Sequence, residues 1–116
     1  MERNAVFFAW NRSVPGREEA SGTHFDEFVG YLSAQAQAGT IQGFDVVFLD
    51  PHGGDMNGFF LIKGGPEGIN ALLSSSAWTE HMTRASIHLM GSGSVGAVTG
   101  DQVAARMELW KKLSSA

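Results

Sequence analysis

Phe59-Phe60-Leu61-Ile62 is an unbroken run of large apolar residues, and Val46-Val47-Phe48-Leu49 and Val6-Phe7-Phe8-Ala9-Trp10 repeat the pattern. Side chains alternate between the two faces of a strand, so a strand with one wet face alternates apolar and polar residues. These runs do not alternate. A sheet built from them is apolar on both faces, and both faces need cover. The chain has 116 residues, which permits one modest core. Only 17% of the residues are charged, below the usual ~25%, so much of the surface is available to cover other than water.

The segments between the runs supply limited cover. Ala5–Trp10 reads as strand one, and Asn11 to Gly22, with Pro15 and Gly16, reads as a mobile loop. Thr23 and Asp26 form a near capping box, so the first helix is expected to start there. Phe25, Phe28, Val29, Leu32 and Ala36 give it an apolar face, and Gly39 gives it a left-handed stop. Ile41–Asp50 reads as strand two, Pro51–Asp55 as a hairpin loop, and Gly58–Gly64 as strand three paired antiparallel to strand two. Pro66 and Glu67 open a second helix with Ile69, Leu72 and Leu73 on its buried side. Ser74-Ser75-Ser76 interrupts it, and Trp78, Met82 and Ala85 mark a further turn or two. Ser86–Met90 reads as strand four, Gly91–Gly100 as a flexible crossover, and Asp101 as the cap of a tail helix with Val103, Met107, Trp110 and Leu113 on one face. The order β-α-β-β-α-β predicts an α+β, ferredoxin-like single domain over residues 1–116 with an antiparallel sheet and a C-terminal helix.

Two internal helices cover one face of such a sheet. An exposed apolar face of that size exceeds what monomers tolerate. The expected cover is the same face of a second copy across a two-fold axis, with the tail helix as the competing cover. The chain has no cysteine, which excludes disulfides and thiolate-ligated metal sites. The net charge of −4 without a Lys/Arg cluster argues against nucleic acid and anionic membranes as partners. The Ala5–Trp10 run is too short for a signal-peptide core, and a cytoplasmic location is expected.

Candidate chemistry rests on few residues. Histidine is the natural acid–base group near neutral pH. His24 falls in the first turn of the expected helix one, and His88 in the middle of the expected strand four between Ile87 and Leu89. Asp45 lies in strand two among Phe44, Val46 and Val47, where a carboxylate needs a partner. His24, His88 and Lys63 are available to it, Lys63 being the ordinary ion-pair choice. His52 and His81 have no carboxylate or histidine at metal-ligand spacing, so no metal is expected.

The element order, the doubly apolar strands and the tail helix resemble the dimeric α+β barrel superfamily over nearly the whole chain. That superfamily includes YCII-like proteins, antibiotic-biosynthesis monooxygenases, haem-degrading enzymes, lactone isomerases and stress-responsive proteins. The resemblance implies a homodimer holding its ligand between sheet and helices. A His24–Asp45 pair would resemble the His/Asp pair of YCII-like proteins. Asn11, Trp78 and His88 follow the order of the Asn, Trp and His of the haem-degrading members, although a strand position for His88 departs from their helical His. Three readings follow. The first is a domain that binds a small apolar or aromatic molecule without a cofactor, walled by Phe7, Phe8, Phe25, Phe28 and Trp78. The second is a cofactor-independent monooxygenase or isomerase that uses Asp45, His24 or His88 as base. The third is a structural or regulatory dimer with a filled core. A cavity with two converging polar side chains favours an enzyme, and a dry packed interior favours the third.

Overall fold

The computed structural model describes residues 2–115. Its elements are β1 (Ala5–Trp10), β2 (Arg12–Ser13), α1 (Glu18–Gln37), β3 (Gly43–Phe48), β4 (Gly58–Lys63), α2 (Pro66–Ser74), α3 (Ser76–His88), β5 (Leu89–Met90), β6 (Gly93–Ala97) and α4 (Asp101–Ser114). Four strands form one antiparallel sheet in the order β3-β4-β1-β6, which is the ferredoxin-like arrangement.

Register decides which face each side chain takes. Phe8 pairs with Phe60, Val6 with Ile62, and Phe60 in turn with Val46. This set points at the helices. Val6 and Ile62 are fully buried, and Phe8, Phe60, Phe28, Leu32, Ile69 and Leu72 pack with them in the core. The alternate set, Phe7–Leu61–Asp45 and Ala9–Phe59–Val47, points the other way. On that second face Phe7, Phe59 and Leu61 are half-buried and Val95 is 61% exposed.

Helix α1 begins five residues before the expected Thr23 start. The Val14–Arg17 turn places it: the Arg17 amide donates to the Val14 carbonyl at 2.8 Å, and Gly16, at φ 88°, donates its amide to the Glu18 carboxylate at 3.0 Å. That bond holds the Glu18 carboxyl below its usual range. Glu18 and Glu19 fall in the first turn, where the helix dipole favours acids. Thr23 is therefore mid-helix. Gly39, at φ 80°, ends the helix region as expected.

The expected loop is largely regular secondary structure. Asn11, Arg12 and Ser13 are tied to the end of α3: β2 pairs with β5, Asn11 donates to the Met90 carbonyl at 2.9 Å, and Val14 donates to the His88 carbonyl at 2.8 Å.

The fourth sheet strand is also displaced. The expected strand Ser86–Met90 is the last turn of α3 plus the short β5, because the buried positions Trp78, Ala85 and His88 continue a helical spacing that Ile87 and Leu89 obscure. The strand beside β1 is instead Gly93–Ala97, inside the stretch expected to be a flexible crossover. Its sequence, Gly-Ser-Val-Gly-Ala, has little side-chain mass to announce a strand. The expected serine break is present: the Ser75 hydroxyl caps α3 by accepting from the Trp78 amide at 3.2 Å.

Helix α4 buries no residue among its described positions. Val103, Met107, Trp110 and Leu113 are 48%, 47%, 65% and 65% exposed, so the tail helix does not cover the open sheet face. The radius of gyration, 15.8 Å, exceeds the ~13 Å of a compact chain this long.

Phe60 touches Phe8, Trp10, Phe25, Phe28 and Phe44 at ring-centroid distances of 5.0 to 6.2 Å. Phe60→Ala is expected to cost about 3–5 kcal/mol. Urea denaturation should show this as a lower midpoint, and a loss under ~1 kcal/mol would mean the ring is not the centre of the core.

Candidate functional site

A cavity of about 690 Å³ lies between the sheet and the helices. Its apolar wall comes from Phe8 and Trp10 of β1, Phe25 and Phe28 of α1, Phe48 of β3 and Phe60 of β4. Its polar side is made by Ser13, Ser21, His24 and His88, and the exposed Glu19, Thr23 and Asp26 also line it. β1 and α1 supply the aromatic groups because Phe8 and Trp10 share the helix-facing side of the sheet, while His24 and Phe28 are one turn apart on α1.

Three histidines lie in one hydrogen-bonded row. Ser21 Oγ is 2.8 Å from His88 Nδ1, His88 Nε2 is 2.7 Å from His24 Nδ1, and His24 Nε2 is 3.0 Å from His81 Nδ1. Ser13 Oγ donates to Ser21 Oγ at 2.7 Å. His24 and His88 are 4% and 5% exposed, and His81 is half-buried. Helix α1 brings Ser21 and His24 to this line, one turn apart; α3 brings His81 and His88, two turns apart. The β2–β5 pairing lays Ser13 beside its end.

Burial is the largest cause of the row's electrostatics. It holds all three imidazoles below their usual range, and His24 falls to about 4, with the Arg84 cation adding to the effect on each. Arg84 is itself paired with Glu27, whose carboxyl it lowers through that bond. The row is therefore neutral at pH 7. In a neutral imidazole one nitrogen donates and the other accepts, so each of the two N···N contacts is one N–H···N bond.

The candidate residues separate into two groups. His24 and His88 meet, and Phe8 and Phe28 line the same cavity. Trp78 is 5% exposed and packs behind Phe28 at a centroid distance of 5.9 Å, outside the cavity lining. Phe7 faces the opposite side of the sheet, against Phe59. Asp45 also lies on that open face, where its exposed carboxylate pairs with Lys63 at 3.4 Å. It is not buried among the apolar residues that flank it, and the His24–Asp45 pair does not form. His88 ends a helix instead of sitting in a strand. His81 joins the row, and its α1-facing spacing from His88, seven residues along α3, is the signal a helical reading of Ser86–His88 would have caught.

The Asn11, Trp78 and His88 set does not fit haem. Both ring nitrogens of His88 are engaged by Ser21 and His24, the Asn11 side chain accepts from Asn57 Nδ2 at 2.8 Å, and Trp78 fills the core. Among the described residues no group of His, Asp and Glu is arranged to hold a metal ion. The row's nitrogens point at one another, not at a common centre.

No protein-family model matches the chain, and no curated protein does. Solved structures do. A dimeric protein of unknown function and ferredoxin-like fold from Bacteroides fragilis superposes with a TM-score of 0.56 at 8% identity, over 82% of this chain and 95% of that one. PA3566 from Pseudomonas aeruginosa gives 0.51 at 13%, over 85% and 98%. The chain has the ferredoxin-like fold. A Chloroflexus aurantiacus protein provisionally named an antibiotic biosynthesis monooxygenase gives 0.48 at 17%, over 83% and 94%, too weak a likeness to inform function. At these identities the likeness extends to fold and not to chemistry.

The neutral row makes stability depend on pH. The unfolded chain protonates His24 near 6.5, and the folded chain only near 4. The unfolded state thus binds more protons between those values. Stability is full above pH 6.5 and falls as pH drops toward about 4, by roughly 3 kcal/mol for His24 alone. Urea midpoints from pH 7.5 to 4 should show this fall, and His24→Phe should flatten it. A flat wild-type profile would mean that His24 titrates alike in the folded and unfolded chains.

Proposed function

We propose that the protein binds a small, weakly acidic aromatic molecule in the cavity between sheet and helices, and that the His88–His24 pair serves as general base toward it. One observation carries this reading: an aromatic cavity of about 690 Å³ whose buried titratable groups, among the described residues, are two neutral imidazoles hydrogen-bonded to each other. The volume suits a molecule of one to a few rings. Six aromatic side chains supply flat apolar contact, and the serine–histidine edge supplies orientation. A neutral imidazole is the form that accepts a proton. The chemistry is proton abstraction from an acidic O–H or C–H, as a cofactor-independent isomerase or monooxygenase requires.

2-Naphthol and naphthalene separate an acid–base site from a plain apolar hole. Both fit by size, and only 2-naphthol offers a proton. Quenching of Trp10, which lines the cavity, reports binding. 2-Naphthol is expected to bind about tenfold more tightly than naphthalene, the worth of one hydrogen bond to a buried group. His88→Phe should abolish the preference while naphthalene binding persists. Equal binding of both by the wild type would leave only an apolar hole.

A homodimer accompanies this reading. The open face carries Phe7, Phe59, Leu61, Val47 and Val95, and α4 leaves it uncovered. The Bacteroides fragilis protein of similar fold is described as dimeric. Pairing of two such faces stacks the sheets at about 10 Å. Sedimentation at micromolar concentration should give twice the 12.4 kDa chain mass. Leu61→Glu should return the protein to monomer with the cavity intact, and a wild-type monomer at that concentration would rule the dimer out.

A further inference from the structure

We infer that Ser13, Ser21, His88, His24 and His81 form a proton wire that carries the substrate's proton from the cavity to water, with His81 as its exit. This rests on the acid–base reading of the cavity and adds the route by which the base is reset.

Geometry supports a wire over three separately buried histidines. The His24 and His81 rings are tilted by only 6°, with centroids 5.3 Å apart. Ring size plus the 3.0 Å N···N contact accounts for that separation when the rings lie edge to edge on one line. The His24 and His88 rings are turned by 84° about their contact, and their 4.9 Å centroid separation is likewise that of collinear rings joined by a 2.7 Å bond. Both contacts are therefore linear hydrogen bonds, and His24 uses one nitrogen on each side. The row has two distinct ends. Ser13 and Ser21 line the cavity. At the other end His81 Nε2 makes no hydrogen bond within the protein, yet no buried side-chain nitrogen among the described residues lacks a partner. His81 Nε2 therefore reaches water.

The charges around the row leave it free to move a proton. The titratable groups around it are Arg17 just before α1, Glu19, Asp26, Glu27 and Tyr31 from α1, and Glu80 and Arg84 from α3. None of them hydrogen-bonds to an imidazole. A carboxylate on a histidine fixes one tautomer and holds the proton there. Without one, the row has two polarities, each fully hydrogen-bonded. In the receiving polarity Ser21 O–H donates to His88 Nδ1, His88 Nε2–H to His24 Nδ1, and His24 Nε2–H to His81 Nδ1.

Transfer then balances at every atom. The substrate's O–H or C–H bond breaks, its electron pair stays on the substrate, and the proton joins a serine oxygen at the cavity. Ser21 passes its own proton to His88 Nδ1, His88 passes Nε2–H to His24 Nδ1, and His24 passes Nε2–H to His81 Nδ1. His81 releases its Nε2 proton to water. Each imidazole ends neutral in the other tautomer. The substrate carries the one negative charge, and water carries the one proton. His81 touches no substrate and is a positioning residue.

Nitrogen-15 NMR of the free protein tests the wire directly. Coupling across the hydrogen bond is expected between His24 Nδ1 and His88 Nε2 and between His24 Nε2 and His81 Nδ1. Absence of either coupling overturns the proposal, whatever happens to any variant. His81→Phe keeps the ring and removes the exit. It is expected to slow exchange of the His88 ring proton with water by roughly a hundredfold, the low end of what a positioned acid–base group contributes. Unchanged exchange in His81→Phe overturns the exit role. Should that variant not fold, His81→Gln, which keeps one hydrogen bond but cannot change tautomer, takes its place with the same expected slowing. Saturation with 2-naphthol should move the His88 and His81 ring signals together in the wild type. Failure of 2-naphthol to bind would sink the cavity reading and the wire's task while leaving the couplings in place. Binding that moves His88 and not His81 in the wild type overturns the wire alone.

Discussion

The pairing of β1 with β4 on one side and β6 on the other decides nearly everything else in this molecule. It fixes Phe8 opposite Phe60 and Val6 opposite Ile62, so one half of every apolar run faces the helices. A slip of one residue would send Phe7 and Leu61 inward and put Asp45 and Lys63 under the helices, two charges in a dry interior. The existing register keeps that ion pair on the exposed face, where it costs little and contributes little. It also sets Trp10 and Phe8 at the cavity wall. The site is thus a consequence of register before it is a consequence of any histidine.

The same constraint explains which parts of the structure were legible from sequence. Apolar runs announce the strands β1, β3 and β4, and helical spacing from Phe25 to Ala36 announces α1. Both are properties of long periodic segments. The elements that were misplaced are those in which local chemistry and tertiary demand disagree. Thr23 and Asp26 imitate a cap, but the Val14–Arg17 turn and the acids Glu18 and Glu19 start the helix earlier. Ile87-His88-Leu89 imitates an alternating strand, but its residues are the last turn of α3. Gly93–Ala97 has almost no strand propensity and is a strand because β1 has an unsatisfied edge beside it.

For the site, composition pointed to the right residue types and not to their arrangement. His24 and His88 stand 64 positions apart, and His81 falls on neither of the patterns that mark a metal or a triad. Their contact follows from the packing of α1 on α3, which no local spacing encodes. Asp45 drew attention because its strand neighbours are large and apolar. A doubly apolar strand, however, has no polar face to label, so its one carboxylate could not be assigned a side from sequence.

What sets this cavity apart is how its polar groups are neutralised. Two buried imidazoles and a half-buried third could be satisfied by backbone carbonyls or carboxylates, the usual solutions. Here they satisfy one another and end on two serine hydroxyls. The arrangement needs no charge to balance another charge, so burial and neutrality reinforce each other: burial lowers each imidazole's proton affinity, and neutrality removes the cost of burying it. Arg84 strengthens the effect, and Glu27, held by Arg84, bonds to none of the rings. On the reading proposed above, a neutral base in an aromatic cavity selects for acidity and flatness in what it binds. Those two properties, and not any metal or nucleotide motif, define the class of molecule to try first.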